Sequence, residues 1–158
     1  MIAVIIIVAT VVVALFVLGG AAWFAYDSDK RVRTFARSTD LIPGRPGRAP
    51  ESWTTDNSRE ALLHRRIRYA IADVHANPAI PLDEELVAAR NRLDDAVFEL
   101  DDRLIASVDR GADEAAEVLD HAESAVKDLE KLPKKLWEAP KDEQIADLDR
   151  VTRALSRG

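Results

Sequence analysis

Residues 2–26 form one uncharged, apolar run of 25 residues, followed, after Asp27-Ser28-Asp29, by Lys30, Arg31, Arg33 and Arg37. At roughly 1.5 Å per helical residue the run reaches about 37 Å, enough to cross a hydrocarbon core of about 30 Å with some tilt. A chain that carries such a run is expected to be a single-pass membrane protein. The run is too long for the core of a secretory signal, and the start, Met1-Ile2-Ala3, lacks a positive n-region, so an anchor is expected rather than a cleaved leader. Trp23 and Tyr26 fall where an aromatic belt meets the headgroups, and Lys30, Arg31, Arg33 and Arg37 all lie on the C-terminal side. Positive charge favours the cytoplasmic face, which places the amino terminus outside and residues 30–158 in the cytoplasm, at the cell membrane. Ala21 and Ala25 make a small-xxx-small pair that can seat a second helix.

About 130 residues remain for one modest domain. The chain has no cysteine, which excludes disulfides, thiolate metal sites, cysteine nucleophiles and a lipoprotein anchor. The net charge of −6 conceals two opposed segments. Between Lys30 and His75 ten basic residues face five acidic ones, whereas between Asp83 and Glu130 sixteen acids face five bases. Segments of opposite sign attract when folded together, and the acidic majority argues against nucleic acid as a partner.

Residues 1–38 are therefore read as anchor and juxtamembrane basic segment, 39–56 as a Pro/Gly-rich flexible linker, and 57–158 as a helical bundle. The linker reading rests on Pro43, Gly44, Pro46, Gly47 and Pro50, which oppose regular structure. The first helix is expected over about 57–77, capped by Asn57 with Glu60 reaching back, and with Leu63, Ile67, Ala70 and Val74 facing inward and Leu62 and Ile71 widening the stripe. Asn77-Pro78 and Pro81 end it. A second helix starts near Asp83 with an acid-rich first turn and carries Leu86, Leu93, Val97, Leu100, Leu104 and Val108.

Val97, Leu104, Gly111, Val118, Ala125 and Leu132 recur every seven residues, so 82–132 could be one helix of about 75 Å. The alternative is a hairpin at Gly111, with Gly111 as the C′ residue and Asp113-Glu114 as a fresh start. The coincidence of glycine and an acidic restart favours the hairpin. The third helix would carry Ala115, Val118, Ala122, Ala125, Leu129 and Leu132 and be broken by Pro133. A C-terminal amphipathic helix opens at Pro140, with Ile145, Leu148, Thr152 and Leu155 on one face and Arg150, Arg153 and Arg157 opposite. The expected fold is all-α: a transmembrane helix, a flexible linker, and a small antiparallel bundle of three main helices plus the C-terminal one.

Trp53, Leu62-Leu63-His64-Arg65-Arg66 and the stretch Leu93-Asp94-Asp95-Ala96-Val97-Phe98-Glu99-Leu100 resemble uncharacterised single-pass membrane proteins of actinobacteria. The resemblance covers about residues 50–105 and implies an anchored helical domain. It transfers no activity and no functional residue.

No phosphate loop, nucleophile elbow or zincin motif occurs. His64 and His75 lie about 16 Å apart along one helix, too far to share a metal, and His121 stands alone, so no metal or cofactor is expected. Adjacent acids such as Asp94-Asp95 and Asp101-Asp102 splay by about 100° and read as solvated faces. Trp53 and Trp137 flank the expected bundle, as caps on its ends or as contacts for a partner. The function expected is thus a membrane-anchored adaptor without catalysis, whose partners are the bilayer and a protein, a second copy of the chain included. The second reading is a sensor of anionic lipid or envelope stress that uses the juxtamembrane basic cluster.

Overall fold

Ser58 turns an extended chain into a helix. Its own backbone stays extended while its hydroxyl accepts from the Ala61 N–H, and the Asp56 carboxylate accepts from the Ser58 N–H and Oγ. The cap therefore lies one residue beyond Asn57, and Ala61 rather than Glu60 fills the position a capping box needs. The computed structural model describes Phe35 and residues 40–157. The expected span and its flanks, Trp23, Tyr26, Lys30, Arg31, Arg33 and Arg37 among them, lie outside the described residues. Among the described residues no helix is long and apolar enough to cross a membrane. Thr39–Gly158 form one compact unit.

Four helices make up most of this unit: α1 (Arg59–His75), α2 (Glu84–Ser107), α3 (Ala112–Glu138) and α4 (Lys141–Ser156). Asp83 caps α2 by accepting from the Glu85 and Leu86 N–H groups. The chain breaks between Ser107 and Ala112, so the hairpin forms and the continuous helix does not. Gly111 is the N-cap of α3, with φ −62°, rather than a left-handed C′ residue. Pro133 does not end α3, which runs on to Glu138. Leu132 and Leu136, both buried, hold the turn around the proline in the core, and the Gln144 amide donates to the carbonyls of Leu136 and Ala139.

Consecutive helices run antiparallel, yet α1 lies against α3 and α2 against α4, and both of these pairs are parallel. Arg59 reaches Asp120 and Glu123 while Arg66 reaches Glu130, so α1 and α3 advance together. Lys141 meets Asp83 and Glu85 while Arg92 meets Asp149, which gives α2 and α4 the same relation. With α1 on α2 and α3 on α4 the ring closes as α1, α3, α4, α2. Helix α4 is a full member of the bundle, since Leu148, Val151 and Leu155 are completely buried.

Residues 40–56 depart from the expected free linker. Strands β1 (Asp40–Ile42) and β2 (Arg45–Pro46) pair antiparallel across a turn that sets Pro43 before Gly44. Gly44 has φ +80°, which a side chain opposes, and the Asp40 carboxylate accepts from its N–H. Leu41 and Ile42 are fully buried, and a 3-10 turn (Glu51–Thr54) buries Trp53 as well. The segment is a strap folded onto the bundle. Prolines and glycines removed the option of a helix here, but a fixed turn and three apolar side chains gave the strap a place to pack.

Candidate functional site

Four of the six polar residues that the fold buries, His64, Arg68, Asp94 and Asp101, gather where α1 meets α2 under the strap. On α2, Asp94 and Asp101 stand seven residues apart and beside the apolar seam of Leu93, Val97, Leu100 and Leu104. Both carboxylates are buried, whereas Asp95 and Asp102 of the same doublets are not. The 100° splay between neighbours, expected to keep every acid solvated, instead sends one of each pair inward. The buried acids meet histidines of α1: His64 Nδ1 is 2.6 Å from Asp101 Oδ1, and His75 Nε2 is 2.9 Å from Asp94 Oδ1. A carboxylate can only accept, so these ring nitrogens carry the hydrogens. His64 is 5% exposed, and its ring packs edge to face with that of Trp53, centroids 5.6 Å and planes 67° apart.

Arginines fasten the strap to this seam. Arg68 of α1, itself buried, donates from Nε to the Asp40 carbonyl at 2.7 Å. Burial pulls its guanidinium below the usual range, against Tyr69, Asp40 and Asp101, which favour the charge. Arg45 lies over the Phe98 ring at 4.6 Å and stands 3.8 Å from both Asp94 and Asp95. Arg48 reaches Asp102 at 3.0 Å. Arg65 donates to the carbonyls of Trp53 and Asp56, tying the end of the strap to the first turns of α1. The opposed charge of the two segments is thus used internally: bases of the strap and α1 face acids of α2 and α3.

Chemically, each imidazole is oriented by a carboxylate, which is the lower half of a proton relay. Trp53 packs against the His64 ring as well. The arrangement fixes the register of α1 on α2, because a one-turn slip would take the imidazole donors away from two buried carboxylates. Among the described residues no group of three or more His, Asp or Glu could hold a metal ion. His121 donates from Nε2 to the Ala154 carbonyl at 3.1 Å and ties α3 to α4. It also borders a cleft of about 380 Å³ at the α2–α3 turn, lined by Leu100, Arg103, Arg110, Glu114, Glu117 and Val118.

The two candidate tryptophans separate. Trp53 is buried and unavailable to a partner, while Trp137 is 63% exposed. Leu62 was expected inside and is 44% exposed, and Tyr69, two turns further along the same side of α1, is 56% exposed. The Asp–His seam was missed, although the recurrence of an acid doublet beside the apolar seam at a seven-residue interval was a readable signal. Compared with family models, curated proteins and solved structures, the chain matches none.

Proposed function

We propose that this protein is a membrane-anchored helical adaptor, held by residues 2–26 with its domain in the cytoplasm, and that it recruits a protein partner without catalysis of its own. The observation that carries the reading is the outer face of α1, where Leu62 and Tyr69 are presented to solvent seven residues apart. Apolar side chains at that spacing are the anchors with which a helix grips a partner helix or groove. The polar interior supports the same role: the Asp–His pairs and the arginine-fastened strap hold α1 rigid, and a rigid face loses little entropy on binding. The charge step after residue 26 supports the orientation.

A photo-crosslinking residue in place of Tyr69, in intact membranes, should give a reproducible protein adduct that the same residue in place of the exposed Glu143 on α4 does not. Adducts at neither position, or equally at both, would remove the reading. A reporter active only in the cytoplasm, fused after Gly158, should be active if the orientation holds.

A further inference from the structure

Helix α3 starts earlier than its neighbours can follow. Helix α1 opens at Arg59, which already reaches Asp120 and Glu123. Helix α4 runs out at Ser156, where the carbonyls of Ala154 and Leu155 accept from His121 Nε2 and from Arg103. Residues 112–119 of α3 therefore project past both helices and face the last turns of α2. This overhang opens the cleft of about 380 Å³ at the α2–α3 turn.

Its two walls carry opposite charge. Arg103 and Arg110 come from α2 and the turn after it, Glu114 and Glu117 from α3, and buried Leu100 with half-buried Val118 supplies the apolar lining. Elsewhere the helices join such charges directly, Arg66 to Glu130, Arg92 to Asp149 and Lys141 to Asp83. Here they do not: among the described residues the side chains of Arg110, Glu114 and Glu117 form no ion pair and no hydrogen bond. The lining charges cancel, two guanidiniums against two carboxylates, so a simple anion and a simple cation are both poor complements to it. Asp109 and Asp113, exposed on the same turn outside the lining, weight the mouth toward a positive group.

We propose that this cleft binds a small zwitterion with an apolar body, the size of an apolar dipeptide. Its carboxylate lies toward Arg103 and Arg110, its ammonium toward Glu114 and Glu117, and its side chains against Leu100 and Val118. A dipolar ligand gives each wall the opposite charge that the other wall does not reach. The cleft has room for about a dozen waters, which a dipeptide would displace. An apolar lining with a few convergent polar groups is the usual make-up of a small-molecule site. The cleft is separate from the outer face of α1 proposed for the protein partner, and nothing in this inference depends on the anchor.

The test is a methyl NMR titration of the full chain, labelled at leucine and valine, in uncharged detergent micelles. Three probes are compared: leucyl-leucine, N-acetyl-leucyl-leucine, which lacks the ammonium, and leucyl-leucine amide, which lacks the carboxylate. Leucyl-leucine should shift the Val118 methyls saturably and leave Val87, near the start of α2, in place. Each blocked form should bind about fivefold more weakly, the strength of one exposed charge pair. Glu117→Gln should weaken leucyl-leucine about fivefold and leave the acetylated form unchanged, while Arg110→Gln should do the same with the amide as the unchanged probe. Both side chains are exposed and unpaired, so melting should be unaffected. The absence of a saturable shift at Val118 would overturn the proposal, as would equal shifts at Val118 and Val87, the mark of partition into the micelle. Equal affinity for the three probes, or variants that weaken all three alike, would also overturn it, since the walls would then not be reading the two charges.

Discussion

At the scale of single residues, the interior of this domain is decided by two carboxylates. Asp101 is 1% exposed and bonded to His64, so removing the imidazole leaves a buried carboxylate without that hydrogen-bond donor. His64→Ala should cost about 3–5 kcal/mol in urea unfolding. Arg48→Ala breaks an ion pair of similar length whose partners are 78% and 45% exposed, and should cost between about 0 and 1 kcal/mol. Equal losses would show that the buried pair is no more consequential than a surface one. The doublets Asp94-Asp95 and Asp101-Asp102 displayed the candidate acids, but burial of the first member of each depends on α1 covering that flank of α2. No feature of α2 alone encodes that cover.

At the scale of elements, periodicity did most of the work. The stripe Leu63, Ile67, Ala70, Ile71 and Val74 is buried, and so are Leu86, Leu93, Val97, Leu100 and Leu104. Val108 falls outside because α2 ends at Ser107. Proline was the misleading signal. Pro133 lacks the N–H that would bond the Leu129 carbonyl, yet α3 continues, since burial of Leu132 and Leu136 outweighs one lost bond. Pro133→Ala should therefore stabilise the domain by about 1–3 kcal/mol, the helical preference for alanine less the entropy that proline removes from the unfolded chain. A fall in the urea midpoint would mean that the proline shapes the last turn in a way the helix needs.

For the whole molecule, surface pairing sets the response to acid. Asp56, Asp83, Glu123, Glu130 and Asp147 all lie below the usual carboxylate range, through the Ser58 N–H, Lys141, Arg59, Arg66 and Arg150 respectively. The folded form thus binds protons less readily than the unfolded one, so this stability is fully present above the unfolded range and is lost as pH falls through the folded values. Urea midpoints should drop steadily below about pH 5. A midpoint unchanged down to about pH 3 would show that the pairs do not persist in solution. The strap enlarges the domain beyond its helices: a chain beginning at residue 50 loses the buried Leu41 and Ile42 and the contacts of Arg45, whereas one beginning at 39 keeps them. The shorter chain should be less stable by a few kcal/mol, because two burials of about 1.5–3 kcal/mol each outweigh the partial ordering of a short segment. Equal stability of the two chains would return the strap to the status of a tether.

The amino-acid sequence alone determined the helical class and most of the inward stripes, and it favoured the break that the structure places between Ser107 and Ala112, because period, caps and breakers act within a few residues of one another; Ala115 and Val118, expected inside, are only half-buried, and Leu119 and Val126 take the core positions of α3. Which helices lie side by side, which acid of each doublet turns inward, and which tryptophan stays outside were decided only by tertiary structure. A helix carries its own apolar stripe, but whether the flank of that stripe is wet or dry depends on a neighbour tens of residues away. The strap shows the same limit from the other side. Pro43 and Gly44 encode a turn, yet only the seam of α1 and α2, with Arg68 holding the Asp40 carbonyl, makes that turn part of the domain.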